Sequence, residues 1–551
     1  MTSPEERLKE ALKHGTCVQF NSDESHEIAG DWLADLLAGR VILRKRHAKG
    51  LIVTGARITG AVQWSNDRFV SQFAFESCTF DEPIAAAGLR VKGGGASFSR
   101  STIPNLNISD GVIDGHLDLT GINIRGRGPA EGATLNLNGI TIAGSLKMNS
   151  ATVCGKTDVV GADIGGDFDC DSAKLTNPGG MALVGNAIKV TYSLRLTNVV
   201  ASGEVSLLAA TIKYQLNCGK SHMINPDGDA LSLDRAKVNG HAFLNDGFVA
   251  SGTVRLFQTQ IQGRLDCQGG SLKGAKTALY GESMTVAGRL DLRELAEKPV
   301  GVINLRDAKV GQLCDDANSW PEPQHSSRRS MIILTGFIYD HFAARPDMKL
   351  ADRISVDDRI AWVQIQTGYE DGYAPEPYLQ LASVYARAGE DSDHRKVLIA
   401  LRDDRRKYGE LRWFQNLWEW LLKFLIGYGR QLWRAGIAIF IVYAISVGIV
   451  WLAKDFNGFV AVGPTADQLL RHPQALDSNT CTNYYPCLSQ FIYPVDAAIP
   501  LINLHQSEFW AFSAFSAWGQ WGRYLFDLVT LLGWFFSSLL VAGLAGLIRT
   551  E

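Results

Sequence analysis

Two cysteines six positions apart, in Cys481-Thr-Asn-Tyr-Tyr-Pro-Cys487, are the first residues whose type and spacing predict a chemical event. In an oxidising space such a pair closes a small disulfide loop. The other seven, Cys17, Cys78, Cys154, Cys170, Cys218, Cys267 and Cys314, form no Cys-x-x-Cys and no Cys/His pair at zinc spacing. They read as small core or surface residues of a reducing compartment. The 11 histidines are scattered and supply no basis for haem or metal. Gly93-Gly-Gly95 lies in β-like sequence, without the helix that would present its N-terminus to a pyrophosphate. No cofactor and no catalytic set are expected, and the chain leans away from the enzymes.

Three other constellations have chemistry to offer. Asn503, His505 and Glu508 close an apolar stretch, Phe491 to His505, that is too short to span a bilayer. If that stretch dips into the membrane, these polar groups are the ones to line a conducting path in an oligomer. The plainer expectation is a lid lying on the bilayer surface, since no Thr-Val-Gly-Tyr-Gly-type filter is present. Arg405, Arg406 and Lys407, followed by Trp413, Trp418 and Trp420, suit a helix at the headgroup level with lipid as its partner. Asp118, Asp169, Asp266 and Asp291 occupy matching positions in a repeat. A carboxylate ladder would bind cations, but Lys147, Ser206 and Arg255 share the same slot of the phrase, so outward positions of successive strands are the stronger expectation.

The elements that must hold these groups fall into two solvents. Over 551 residues, 55 are glycine and 17 proline without a Gly-X-Y period, which excludes collagen and calls for many tight turns. A formal net charge of −3 gives no reason to expect nucleic acid. Of the 13 tryptophans, 9 lie beyond residue 412, where apolar bulk also gathers. The first 320 residues are instead rich in Gly, Ala, Asn, Asp, Thr and Val. No apolar signal-peptide core opens the chain.

The water-soluble part is a repeat. Gly144-Ser-Leu146-Lys-Met148, Gly155-Lys-Thr157-Asp-Val159 and Gly166-Asp-Phe168-Asp-Cys170 each continue through two or three residues to a small residue, then x and an apolar one. The same words start at Gly115, Gly203, Gly240, Gly252, Gly263, Gly288 and Gly311. Period-two alternation over four or five residues is a strand with one buried face, and the preceding glycine is read as permitting the corner. Strands this short bury their apolar face only by stacking coil on coil. Two phrases per coil at about 4.8 Å per coil make a rod roughly 50 to 60 Å long. Arg125 to Gly132 is an insertion bulging from one corner.

The expected architecture is mainly β: a cytoplasmic β-solenoid, a helical hairpin and a two-helix transmembrane domain. Its parts are a helical cap or leader over 1–47, the solenoid over 48–320, a linker or cap over 321–374 and a hairpin resembling the TPR kind over 375–408. An amphipathic interfacial helix over 409–431 then leads to a span over 432–453, an external loop with the candidate re-entrant segment over 454–523, and a second span over 524–549. Ala435 to Ala453 carries no charge, and ten Lys/Arg between Arg395 and Arg434 against three from Lys454 to Arg523 orient it. The positive-inside rule puts both termini and the solenoid in the cytoplasm of an inner-membrane protein.

Asn318-Ser-Trp-Pro321, Leu334-Thr-Gly-Phe-Ile-Tyr339, Pro377-Tyr-Leu-Gln-Leu-Ala382, Arg395-Lys-Val-Leu-Ile-Ala-Leu401 and Leu532-Gly-Trp534 to Gly546-Leu-Ile-Arg549 resemble a group of bacterial membrane proteins. In that group a repeat domain similar to bactofilins or pentapeptide-repeat proteins precedes two membrane helices. The likeness implies a membrane-associated oxidoreductase by name and, through the tail, the two-helix ion channels. The strict five-residue pattern is absent here. The residues themselves favour a membrane-anchored scaffold, interaction or sensor protein whose partners are the bilayer and a protein, or a second copy, on the solenoid.

Overall fold

The computed structural model describes residues 3–544 apart from 21–26, 42, 44–46, 48, 127–131, 323–330, 343–353, 367–372, 410–411, 427–432, 457, 463–485, 499–503 and 515, with the side chains of 418, 422, 425–426, 497–498 and 543 also outside the description. Two compact units result, Met1–His394 and Arg395–Glu551.

Alternation builds the first unit. Leu146 and Met148, Ala151 and Val153, Val159, and Ala162 and Ile164 all point inward and are buried. Phe168 then lies on Leu146, in parallel register with Lys147 on Asp169. One coil is thus 22 residues, two phrases of 11, folded into four short faces. Parallel pairing repeats this for about 11 turns over residues 51–314, the β-solenoid that the repeated words predict.

The corners are made differently from the expectation. Each phrase turns at a residue in the left-handed region, among them Ser150 (φ 55), Ser172 (φ 61), Asn198 (φ 57) and Lys220 (φ 60). The Ala151 N–H donates to the Met148 carbonyl at 3.0 Å across such a turn. That is the geometry of a turn whose third residue needs positive φ. A non-glycine residue there is disfavoured by about 1–2 kcal/mol, yet each corner is bonded to the next coil, as Ser150 N–H to the Asp171 carbonyl at 2.8 Å.

The phrase glycines serve another purpose. Gly144 donates to the Gly115 carbonyl at 2.9 Å and Gly166 to that of Gly144 at 2.7 Å, so one column of backbone is stacked in near contact. A Cβ on Gly144 would meet that same oxygen at 2.8 Å, and one on Gly263 would meet the Gly240 oxygen at 2.6 Å. Close approach, not left-handed backbone, selects glycine at Gly144 and Gly263, whereas the phrase glycines Gly155 (φ 114), Gly203 (φ 117) and Gly252 (φ 136) lie at positive φ, as expected of a corner. Tyr192 and Tyr214 interrupt the column, and their exposed rings stack at 5.5 Å.

Strand pairing passes both expected boundaries of the solenoid. Cys17–Gln19 pairs with Ile52–Thr54 and Glu27–Ala29 with Arg57–Thr59, so the ladder starts inside the segment expected as a helical cap or leader. At the other end Ile332–Ile333 pairs with Ile303–Asn304, and the strand Ile338–Phe342 pairs with residues of Lys309–Cys314.

Helices close both ends. α1 (Pro4–His14) buries Leu8, Ala11 and Leu12, and α2 (Gly30–Leu37) buries Leu33, Ala34, Leu36 and Leu37. At the far end are α3 (Val356–Gln364) and α4 (Glu376–Arg387). Gln366, just past α3, accepts from Leu334 N–H at 2.7 Å and donates to Thr335 Oγ1 at 2.8 Å. Gln380 of α4 donates to the Tyr339 carbonyl at 2.6 Å. The Arg359 guanidinium grips the Asp315 carboxylate through two bonds of 2.5 and 2.6 Å, and Trp320 Nε1 donates to the same carboxylate at 2.7 Å. Burial works to lower the Arg359 pKa, but Asp315 leaves it raised. α3 and α4 therefore form a lid on the last coil, and α4 is also the first helix of the pair expected over 375–408. Its expected partner helix, α5 (Asp391–Tyr408), contains the boundary between the units.

The second unit holds α6 (Trp413–Ile426), α7 (Trp433–Asp455), α8 (Ile492–Ala498), α9 (Gln506–Phe509) and α10 (Ala517–Leu544). Ala435 packs with Leu539, while Val450 and Ala453 pack with Phe526, so α7 and α10 run antiparallel. Both are long and apolar enough to cross a membrane. Only 22% and 28% of their apolar windows are buried, which leaves most of that surface unpartnered by protein. α10 begins at Ala517, seven residues before the expected 524, and its expected end at 549 lies outside the described residues. Asp527 follows Phe526, which packs beside Ala453 near the charged end of α7, so its carboxylate belongs to the end of the pair.

Candidate functional site

The insertions of the repeat share one corner. Between neighbouring left-handed residues the usual spacing is 11, but Ser172 to Ala187 and Lys220 to Arg235 are each 15 apart. These half-coils contain Asn177-Pro-Gly-Gly180 and Asn225-Pro-Asp-Gly228. Each loop is closed by its own asparagine, which donates to the Met181 or Asp229 carbonyl at 2.8 Å. Gly203 (φ 117) and Gly252 (φ 136) lie beneath them in the next coil, where a Cβ would collide with the loop backbone. The expected Arg125–Gly132 insertion leaves the ladder at the same corner, between strands Asn123–Ile124 and Leu135–Asn136, with 127–131 outside the described residues.

Here two short faces merge into longer, parallel-paired strands, Lys174–Val184, Val200–Ser206, His222–Ser232 and Val249–Arg255, with register shifts at the inserted loops. Exposed Met181, Val200 and Ile224 stand on it. Beside them is a polar network that crosses several coils. Arg255 bonds Asp234 at 2.7 Å and reaches Asp229 at 3.4 Å. Its guanidinium lies 5.1 Å from the centre of the Tyr280 ring, whose hydroxyl donates to Glu282 at 2.8 Å. Burial, then the Asp229 charge, raises the Glu204 pKa; burial also raises Asp229 despite Arg255. Such a surface offers donors, acceptors and apolar contacts side by side. It is suited to recognition, and no group of three or more His, Cys, Asp or Glu suited to a metal occurs among the described residues.

None of this network was singled out by sequence reasoning except Arg255. The available signal was the recurrence of Asn-Pro-x-Gly 48 residues apart, at Asn177 and Asn225. The aspartate ladder resolves into structure. Asp118, Asp169, Asp266 and Asp291 do share one column with Lys147 and Arg195. Ser206 and Arg255 belong to another, a correction to the single slot expected. Each carboxylate accepts the backbone N–H two residues on, as Asp118 from Thr120 at 2.9 Å and Asp266 from Gln268 at 3.1 Å. This local turn explains Asp at those positions.

Burial raises the pKa of Cys78 and Cys314 to about 11 and of Cys218 to about 12, and pushes Cys170 and Cys267 up as well. These thiols stay protonated and inert at neutral pH. Cys17 and Cys154 are exposed and free. Cys487 is disulfide-bonded; Cys481 lies outside the described residues.

In the expected pore group, Asn503 lies outside the described residues. His505 Nδ1 and Glu508 Oε1 are 2.9 Å apart and exposed, and the carboxylate raises the His505 pKa. The Asp496 carboxylate accepts from the N–H groups of His505 and Ser507, which organises this turn. Lys454 Nζ donates to the Leu488 carbonyl at 3.4 Å, whereas Tyr443, eleven residues earlier in α7, donates to that of Phe491 at 3.4 Å. The chain from 488 to 491 therefore descends along α7. Arg405 and Lys407 are exposed and Arg406 half-buried in the last turn of α5; Trp413 and Trp420 are exposed on α6, and the Trp418 side chain lies outside the described residues. No protein-family model, curated relative or solved structure matches the chain.

Proposed function

We propose that the protein is a membrane-anchored scaffold whose solenoid engages a partner protein through the loop-bearing side of its coils. The observation that carries this reading is the helical closure of both solenoid ends. α1 and α2 pack on one end and α3 and α4 on the other, so among the described residues a helix lies on the outer strands of both ends, which disfavours stacking of copies end to end. The lateral face with Met181, Ile224 and the Arg255 network is the surface left for a protein. Anchoring rests on the two largely unpartnered apolar helices. The excess of Lys/Arg before α7 supports a cytoplasmic solenoid in a bacterial inner membrane. The disulfide at Cys487, set against free thiols throughout the solenoid, agrees with that orientation.

Photocrosslinking of the full chain in its membrane tests the proposal. A photoreactive residue at Ile224 or Met181 is expected to give an adduct of discrete mass, and one at Lys147 to give none. Failure at both loop-side positions, or equal adducts at all three, contradicts a lateral docking face.

One observation favours a second reading, an oligomeric pore. The descent of residues 488–491 beside α7 supports a half-inserted segment between the two spans. That reading requires a closed oligomer and ion flux in liposomes that changes in His505→Ala or Asn503→Ala. A monomer in detergent excludes it.

A further inference from the structure

We infer that the last turn of α5 and the exposed face of α6 form a docking surface for anionic phospholipid, lying in the plane of the membrane beside the first span. This rests on the membrane-anchored reading and names the lipid class it involves. Trp413, Leu417, Trp420 and Phe424 are spaced at i, i+4, i+7 and i+11, one face of a helix. They are 79%, 57%, 50% and 69% exposed, so among the described residues nothing covers this stripe. Trp420 and Phe424 stack with ring centres 5.9 Å apart, forming a continuous aromatic surface. Such a face is costly in water and favourable at the boundary of headgroups and acyl chains.

Charge selects among lipids. Arg405, Arg406 and Lys407 form the last turn of α5, and Arg412 immediately precedes α6. Among the described residues none of these four side chains has an ion-pair partner, whereas Lys423 on α6 is held by Asp403 at 2.7 Å. Arg406 Nε is buried with no hydrogen-bond acceptor among the described residues. Four cations without carboxylates, one with an orphaned donor, complement the phosphate and negative charge of an anionic headgroup. Continuity also favours lipid over a protein partner. α6 precedes α7, and Arg434 of α7 reaches back to the Lys423 carbonyl at 3.5 Å, which holds the aromatic face next to a candidate span.

The test is lipid binding by the full chain in detergent, with bound lipids counted by native mass spectrometry. Phosphatidylglycerol and phosphatidylcholine of equal chain length are titrated in parallel. Wild type is expected to prefer phosphatidylglycerol, and the variant R405Q/R406Q/K407Q/R412Q to lose that preference by roughly tenfold or more, given about fivefold per surface cation. Trp413→Ala with Trp420→Ala should weaken both lipids together. Circular dichroism and mass verify that each variant remains folded. Equal affinity of wild type for the two lipids, or an unchanged preference in the charge variant, overturns the inference. Resistance of the chain to carbonate extraction from membranes separates these failures: if it resists, anchoring stands and only the lipid preference falls; if it is extracted, the anchoring reading fails as well.

Discussion

Asp315 and Arg359 join the last coil to its lid, and their burial sets how much depends on them. The side chains are 1% and 6% exposed, and the guanidinium also lies 3.9 Å from the centre of the Phe342 ring. Removing one partner strands a buried charge, so Asp315→Ala should lower stability by about 3–5 kcal/mol in denaturant unfolding, while the double change D315L/R359M should cost much less. Glu204 makes the opposite prediction. Its folded pKa is raised, so the folded state binds its proton more readily and stability falls as pH rises through the folded pKa. Glu204→Gln should therefore stabilise the chain at neutral pH, with the gain vanishing below the ordinary carboxylate range in melts taken across pH. At this scale the sequence was only half legible. The aspartates announce turns because the Asx bond is local. The Arg255 network is assembled from different coils, and no spacing within one phrase reveals it.

Elements carry the repeat, and their tolerance follows from its count. Deleting Asn177 to Gly180 shortens the 15-residue interval between Ser172 and Ala187 to the 11 used elsewhere. That variant should fold with stability changed by roughly 1 kcal/mol or less, as read by circular dichroism and thermal melting. Deleting Thr152 alone should prevent folding of that region, since one residue exchanges the inward and outward sets over every following position of the face. The alternation, the coil and the insertion corner were readable because apolar spacing is a property of the chain itself. The caps were not. Tyr378, Leu381, Ala382 and Tyr385 mark an amphipathic helix, but the pattern cannot name the surface beside it, here strand Ile338–Phe342, where Tyr385 meets Phe342 and Gln380 bonds the Tyr339 carbonyl. The phrase glycines were legible only in part for a related reason: one needed for positive φ, as Gly203, and one needed for close approach, as Gly144, look alike in sequence.

For the whole molecule, we propose that two spans hold a capped solenoid at the cytoplasmic side of a membrane, where it works through its flank. The native cysteines provide the most direct measurement. Cys17 and Cys154 are free and exposed on the solenoid, and Cys487 is in a disulfide beyond the end of α7. A membrane-impermeant maleimide, applied to intact cells and read by peptide mass spectrometry, should leave Cys17 and Cys154 unmodified until the membrane is permeabilised. Cys487 should be modified in intact cells once an impermeant reductant is added. Labelling of Cys17 or Cys154 from outside the intact cell would contradict the account.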